Sequence, residues 1–312
     1  MTRKLAWQDL TQLRRYQNQK MVLDNTLRFV FSPGIFSSSL LSVALPSSEF
    51  YTAVDPLQSD PYPLLIGQIL TGKDEHTARV AFLAPGELGT EPDYSGLFSH
   101  LSQAACERGA LQMVGEARIG SPEEEILHRS GFRAYAEQQI WKIPRQAPCG
   151  SGQRSWIPAI EADNGPAQAF YQRVIPAQIQ RLEPCPEFPK LQGMVTWLEG
   201  KIIGIALPQF GPVGILVDLL LDPSLSAVDE TLAALLFHLP YTRTKEIYLR
   251  VRNYQGKIAS TLERWGALAG DQQRVMVKRL AVHYNAQQAF VVQGFEKQPD
   301  ITTPISRTQI KN

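Results

Sequence analysis

The chain has 312 residues, of which 44% are hydrophobic and 20% are charged, values close to the average of globular proteins. This composition excludes a disordered or fibrous chain, and the length suits two ordinary domains. Thirty-one basic residues against thirty acidic ones give a net charge of +1, so the chain lacks the broad basic field that nucleic acid or an anionic membrane would require.

The sequence predicts a soluble, cytoplasmic protein without a membrane segment. Residues 1–20 carry basic side chains but no apolar run of the kind found in a signal peptide. The longest apolar stretch, residues 214–221, contains Asp218 and is far shorter than the roughly 20 residues of a membrane helix. The three cysteines form no CxxC pair and have no histidine at ligand spacing, so we expect neither disulfides nor a metal site.

The first half of the chain alternates strands and helices from its middle onward. Leu97, Leu101 and Ala104 follow the 3.6-residue period of an amphipathic helix, which Gly109 ends. Pro122 opens a second, shorter helix. The predicted order is strand 64–70, strand 78–83, helix 93–108, strand 111–116, helix 122–129 and strand 132–143.

The second half repeats this order. Its first two strands are joined by a tight turn at Glu199 and Gly200, and the apolar run 214–221 is typical of a central strand covered on both faces. The predicted elements are helix 167–179, strands 194–198, 201–207 and 214–221, helix 227–238, strand 246–251, helix 255–265 and strand 272–282. Residues 243–252, which are rich in arginine, are predicted to form a solvated strand edge, with a phosphate-binding patch as the alternative.

The repeated order predicts an α/β (α+β mixed sheet) fold with two tandem domains. Loss of periodicity and enrichment in Pro, Gly and Ser predict the linker. We expect a first domain at residues 1–146, a linker at 147–156, a second domain at 157–295 and a loose tail at 296–312.

Four segments resemble the GNAT acyltransferase family and together cover about half of the chain. In the first half they are YSGLFSHLSQAACERGALQMVGEA and SPEEEILHRSGFRAYAEQQIWKIP, in which Gly131 and Phe132 match the Gly-Phe that precedes the last strand of the family. In the second half they are LLLDPSLSAVDETLAALLFHL and IYLRVRNYQGKIASTLERWGAL, with Gly266 and Ala267 at that place. The resemblance implies transfer of an acetyl group from acetyl-CoA to a small-molecule or peptide amine.

The first cofactor loop departs from the family pattern. Glycines in that loop let backbone N–H groups approach the pyrophosphate of coenzyme A at a helix N-terminus. Alignment on Pro85 puts Leu88 at the Arg or Gln position of the family and Glu91 and Asp93 at its two glycines. Carboxylates there would repel the phosphates or cap the helix themselves. In a shifted alignment, Gly86 and Gly89 would serve instead.

The second loop carries small residues. Alignment on Pro223 places Ser226 at the Arg or Gln position of the family and Asp229 and Thr231 at its two glycines. We expect Asp229 and Glu230 to repel the phosphates of coenzyme A there, or to cap the helix. Because Ser224, Ser226 and Ala227 are small, the second half is the better candidate for binding acetyl-CoA. Its predicted contacts with the cofactor are Leu221, Ser224, Ser226 and Ala227.

The tyrosine that serves the family as general acid falls on Leu127 in the first half and Leu262 in the second, and leucine cannot donate a proton. His128 and Tyr254 are neighbouring candidates for that role, and Asp218 is a candidate general base. The absence of the loop glycines and of the general-acid tyrosine leaves a second hypothesis open, namely a catalytically inactive tandem protein that acts as a binding or assembly module. The sequence also leaves a homo-oligomer open.

Overall fold

The computed structural model describes residues 2–31, 35–45, 49–57, 62–72, 76–86, 92–150, 155–239 and 245–280. Residues 1–281 form one compact unit. The tail predicted at 296–312 and the loop residues Leu88, Gly89 and Glu91 lie outside the described residues. None of the helices within these ranges is long and apolar enough to cross a membrane.

The first repeat contains the elements predicted from its sequence, preceded by several that the sequence did not reveal. Its strands are β1 (Arg3–Lys4), β2 (Met21–Val22), β3 (Phe50–Pro56), β4 (Leu64–Thr71), β5 (Thr77–Ala84), β6 (Gln112–Arg118) and β7 (Arg133–Lys142). Its helices are α1 (Leu10–Leu13), α2 (Ile35–Ala44), α3 (Ser95–Glu107) and α4 (Pro122–Arg129), with a π-helical turn at Leu27–Phe31.

The second repeat follows the same plan. Its strands are β8 (Trp156–Pro158), β9 (Met194–Leu198), β10 (Lys201–Phe210), β11 (Gly214–Leu221), β12 (Glu246–Arg252) and β13 (Leu268–Arg279). Its helices are α5 (Asn164–Val174), α6 (Ala177–Gln180), α7 (Val228–His238) and α8 (Gly256–Arg264), and a 3-10 turn at Asn253–Gln255 joins β12 to α8. The predicted helix 167–179 is interrupted at Pro176, which has no N–H to continue the helical bonds.

Both repeats open with the same turn, which the sequence did not reveal. The carboxylate of Asp9 accepts a bond of 2.9 Å from the N–H of Ala6, and the carboxylate of Asp163 accepts one of 2.8 Å from the N–H of Ile160. The repetition therefore reaches the first residues of each half.

The described strands form one mixed sheet in which the repeats exchange their last strands. The order is β1-β3-β4-β5-β6-β13-β7-β12-β11-β10-β9-β8, and β2 pairs with β5 beside this path. Strand β13 of the second repeat lies antiparallel to β6 of the first, while β7 of the first lies antiparallel to β12 of the second. Each repeat therefore depends on the other for a strand, and the domain limits given above stay a prediction.

The hydrophobic cores follow the exchange. Met276 of β13 is buried in the core of the first repeat, together with Leu97, Leu101 and Phe132. Trp141 of β7 is buried in the core of the second repeat. Truncating either terminal strand would thus open the core of the other half.

Candidate functional site

In each repeat two parallel strands diverge and leave a gap in the sheet. Strands β5 and β6 pair from Thr77 to Arg79 and then separate, although both continue. Strands β11 and β12 pair from Gly214 to Asp218 and then separate in the same way. We name these openings the first gap and the second gap. Their walls carry backbone N–H and C=O groups that need partners.

The first gap is filled by the chain itself. Strand β2 pairs antiparallel with β5, and the next residue, Leu23, bridges the two diverging strands. The N–H of Leu23 donates to the carbonyl of Ala81 at 3.0 Å, and the carbonyl of Leu23 accepts from the N–H of Glu116 at 2.8 Å. Residues 21–23 therefore act as a short strand inside the gap.

Gly86 and Asp93, two predicted positions of the first cofactor loop, form hydrogen bonds within the chain. The N–H of Gly86 donates to the carbonyl of Gln19 at 2.6 Å. Asp93 accepts bonds of 2.8 Å from the N–H and the hydroxyl of Ser95, and these bonds lower the pKa of Asp93. Leu127, at the predicted proton-donor position, is fully buried. In the first repeat Asp93 thus bonds the N–H of the first residue of α3, and residues 21–23 fill the first gap.

The second gap is bridged by one side chain. Gln255, which is buried, accepts a bond of 3.0 Å from the N–H of Leu221 through Oε1 and donates one of 3.3 Å to the carbonyl of Leu221 through Nε2. A side chain can rotate away, whereas the backbone in the first gap is held by its strand. The second gap is therefore the one that a ligand can enter with less rearrangement.

The loop from β11 to α7 is held by a lysine. Lys257 Nζ donates to the carbonyl oxygens of Pro223 at 2.5 Å and Leu225 at 3.3 Å. Ser224 donates from its N–H and its hydroxyl to Asp222, Ser226 is exposed, and the carbonyl of Ala227 accepts from Thr231.

Asp229 does not have the environment expected from the sequence. Its carboxylate accepts bonds from Arg264 at 2.6 Å and from the indole N–H of Trp265 at 3.2 Å, both at the end of α8. Because an arginine neutralises this acid, repulsion of a phosphate at the loop is weaker than the sequence alone implied.

Cavities lie on both faces of the sheet beside the second gap. On β11, Val217, Leu219 and Leu221 face the core that contains α7 and α8, and side-chain alternation places Asp218 and Leu220 on the opposite face. A cavity of about 100 Å³ on the helix side is lined by Leu221, Tyr254, Gln255 and Lys257, among others. On the Asp218 side a cavity of about 240 Å³ is lined by acids, arginines and apolar side chains.

A half-buried charge network crosses from one repeat to the other on the Asp218 face. Arg250 lies 2.7 Å from Asp218 and 3.5 Å from Glu116, and Arg252 lies 2.5 Å from Glu183. Tyr135 of β7 donates to Glu183 at 2.6 Å. Arg250 and Arg252, predicted to line a solvated edge, are instead half-buried in ion pairs, because exchanged strand β7 covers the edge of β12; residues 243 and 244 lie outside the described residues.

The pKa values in this network are perturbed in opposite directions. Burial raises the pKa of Asp218, against the opposing effect of Arg250. Burial also acts to raise the pKa of Glu116, but Arg250 and the hydrogen bonds from Gln138 and Asn25 hold it below its ordinary value. Of the acids in contact with Arg250, Asp218 is therefore the one better suited to accept a proton near neutral pH.

The candidate proton donors lie apart from each other. Burial raises the pKa of Tyr254 to about 12, so its phenol keeps its proton at neutral pH. Tyr254 lines the cavity that Leu221 also lines. His128 is exposed on α4 and lies in a surface cavity with Glu124 and Arg274. The structure thus brings Tyr254, but not His128, to the second gap.

Solved structures of GNAT proteins match nearly the whole chain. A GCN5-related N-acetyltransferase from Sphaerobacter thermophilus is 13% identical with a TM-score of 0.50, and the match covers 90% of this chain and 95% of that one. A tandem GNAT protein from the clavulanic acid biosynthesis pathway is 12% identical with a TM-score of 0.50, and the match covers 90% and 98%. The chain has a tandem GNAT fold. No family model and no curated protein sequence matches it.

The GNAT fold implies acetyl-CoA, and the two gaps differ in how they fit it. The first gap does not fit, because Met21 and Val22 already pair with β5 and the backbone of Leu23 bonds to both walls. In the second gap the side-chain amide of Gln255 bonds both the N–H and the carbonyl of Leu221, so these backbone groups can pair with an amide. Lys257 places a positive charge at the adjoining loop. Acetyl-CoA carries amides and phosphates, so the second gap offers it the matching groups.

Sequence reasoning missed Gln255, Lys257, Glu116 and Glu183. Along β12 the apolar residues Ile247, Leu249 and Val251 alternate with polar ones. This alternation indicates that Arg250 and Arg252 share one face of the strand. The partners of Arg250 and Arg252 come from other elements, and no local pattern could have identified them.

Proposed function

We propose that this tandem GNAT protein is an acyltransferase that acetylates an amine with acetyl-CoA, and that the second repeat carries out the reaction. One observation carries the proposal. The second gap has cavities on both faces of the sheet and is closed by the side chain of Gln255, whereas the first gap is filled by backbone. The first repeat then serves as a scaffold that supplies strand β7 and part of the charge network. The expectation of a cytoplasmic protein that binds neither nucleic acid nor membrane belongs to the same proposal.

In this proposal the cofactor is held at the helix side of the second gap. The N–H and carbonyl of Leu221 would pair with its amides once Gln255 turns away, and Lys257 would meet its phosphates. The predicted contacts of Ser224, Ser226 and Ala227 belong to the adjoining loop. Acetyl-CoA supplies an acetyl group activated as a thioester.

Asp218 is proposed as the general base. It lies on the acceptor side of the gap, and its raised pKa brings it closer to the range in which a carboxylate accepts a proton from an ammonium group. Asp218 takes the proton that the amine nitrogen loses as its bond to the acetyl carbon forms. Arg250, bonded to Asp218 at 2.7 Å, orients the carboxylate.

Tyr254 is proposed as the proton donor. Its phenol is protonated at neutral pH, and its side chain packs with Leu220 in the core on the Asp218 face of the sheet, where the charges of Arg252, Glu183 and Asp218 act on its pKa. It gives the proton that the leaving thiolate takes when the thioester carbon–sulfur bond breaks. The proposed base and acid therefore lie on the same face of the sheet, beside the end of β11.

A second candidate function is a catalytically inactive binding or assembly module. The observation that favours it is that the polar groups around the second gap already have partners within the chain. Gln255, Lys257 and the Asp229–Arg264 pair all form such bonds. In that case the cavities would bind a ligand without turnover.

Binding of acetyl-CoA and its turnover together decide between the two functions, because the inactive module would bind a ligand without releasing free thiol. Acetyl-CoA at about 100 times its dissociation constant should stabilise the full chain by about 2.7 kcal/mol, which a thermal melt detects. Release of free thiol in the presence of an amine panel should then fall at least tenfold in Asp218→Asn and Tyr254→Phe, while His128→Ala keeps the wild-type rate. No thermal shift with millimolar acetyl-CoA would favour the binding module.

A further inference from the structure

The acceptor side of the second gap has two lobes rather than one. The cavity of about 240 Å³ described above is the first lobe, and a neighbouring cavity of about 290 Å³ is the second lobe. They share the walls formed by Glu183, Pro184, Arg250 and Arg252. Each is small for a drug-sized ligand, since such pockets measure about 300 to 1,000 Å³, but together they have room for a small two-ended molecule.

The first lobe presents negative charge beside an apolar wall. The Asp218 side chain is 27% exposed and that of Glu183 is 29% exposed, whereas the side chains of Arg250 and Arg252 are 13% and 12% exposed. The accessible charged atoms there are therefore mainly carboxylate. The apolar part of the wall includes Ile175, Leu191, Ile205, Leu207 and Leu220.

The second lobe presents positive charge. Its wall includes Arg79, whose side chain is 36% exposed, while its ion-pair partner Asp24 is 5% exposed and Glu116 is 12% exposed. Arg79 lies 3.1 Å from Asp24 through Nη1, and a guanidinium has five N–H donors, so it can hold Asp24 and also meet a ligand carboxylate. Glu183 lies between the two accessible charges, since it lines both lobes.

We propose that the acceptor is an amino-acid-like zwitterion, an amine that also carries a carboxylate, with its amine beside Asp218 in the first lobe and its carboxylate beside Arg79 in the second. The proposal rests on the acyltransferase function only for the fate of the amine, because binding requires no acetyl-CoA. Both repeats build this site, since Arg79 belongs to the first repeat and Asp218 to the second. This dependence gives the tandem arrangement a role that a single repeat could not fill.

The test compares matched ligands that differ by one charge. The probes are the free α-amino acids and a set of dipeptides, together with their primary amides and their deaminated carboxylic acids, titrated calorimetrically into the full chain without acetyl-CoA. At least one zwitterion should bind about tenfold or more tightly than both of its single-charge analogues. Arg79→Gln should weaken the zwitterion about tenfold and leave its amide unchanged, and Arg79→Lys should recover part of the loss.

The control is Arg118→Gln on β6, because Arg118 is half exposed and lies 3.7 Å from Asp271 at the surface. It should bind every probe as the wild type does, and circular dichroism should confirm the fold of each variant. An amide that binds as tightly as its zwitterion, or no binding by any zwitterion of the panel, would overturn the proposal. The two proposals fail separately: a zwitterion that binds with this charge preference but is never acetylated refutes the acyltransferase function alone. Acetylation of simple amines without that preference refutes the zwitterion site alone.

Discussion

Replacing Gln255 with alanine removes the side chain that bridges the second gap. In the native chain its amide satisfies both the N–H and the carbonyl of Leu221, at 3.0 Å and 3.3 Å. Both residues are buried, Gln255 being 5% exposed and Leu221 3% exposed. The variant should therefore be less stable without cofactor and should bind acetyl-CoA more tightly.

The magnitude follows from the two backbone groups left without a partner. A buried polar group that loses its partner costs about 1 to 3 kcal/mol, but the adjoining cavity of about 100 Å³ has room for a water molecule that recovers part of this. We expect the free energy of unfolding to fall by about 1 to 3 kcal/mol. Acetyl-CoA no longer has to displace Gln255, which should tighten its binding by about 1.4 kcal/mol, or about tenfold.

Calorimetric titration and urea unfolding measure the two effects on the same protein. Gln139→Ala is the matched control, because Gln139 also donates to a backbone carbonyl, that of Gly270 at 2.8 Å, but through a solvent-exposed bond at a half-buried position on β7. It should change neither quantity by more than about 0.5 kcal/mol. An unchanged or weakened affinity for acetyl-CoA in Gln255→Ala, with the protein folded, would show that Leu221 does not bind the cofactor.

Two further predictions concern the exchanged strands and the charge network. Glu116→Gln should lower the free energy of unfolding by about 1.5 to 3 kcal/mol at pH 7, because it removes a charged partner of Arg250. The folded-state pKa of Glu116 is lowered, so its contribution to stability is present above its unfolded pKa of about 4.3 and is lost as the pH falls through the folded-state pKa. Urea unfolding should therefore show the stability difference between Glu116→Gln and the wild type shrinking below about pH 4. Met276→Ala should cost about 2 to 5 kcal/mol and should speed amide hydrogen exchange in α3 of the first repeat, while Leu268→Ala, exposed on the same strand, should do neither. Faster exchange confined to the second repeat would contradict the role of β13 in the first core.

Local patterns predicted the elements that carry the fold. The period of Leu97 and Leu101 identified α3, and the positive φ of Gly109 just after it agrees with the expected helix end. The Glu199-Gly200 dipeptide correctly predicted the turn from β9 to β10, where both residues have positive φ. The beginning of the first repeat was not predicted, because its strand β1 is two residues long and its turns lack a clear period.

The candidate site was predictable only in part. Asp218 was identifiable as the charged residue in an apolar strand, and its pairing with Arg250 follows from the parallel register of β11 and β12. The sequence could not show that Gln255 occupies the second gap, since that contact joins residues 34 positions apart on different elements. It also could not show that Arg264 neutralises Asp229, so the acids at the start of α7 suggested more repulsion than the structure contains.

The sequence by itself determined the tandem α/β plan, because helix and strand periods and turn residues act over a few neighbouring positions. Only the tertiary structure decided which repeat keeps an accessible gap and where the two halves meet. The filling of the first gap by residues 21–23 and the exchange of β7 with β13 depend on backbone bonds between distant segments. Such bonds use groups that every residue possesses, so they leave no mark in the residue pattern.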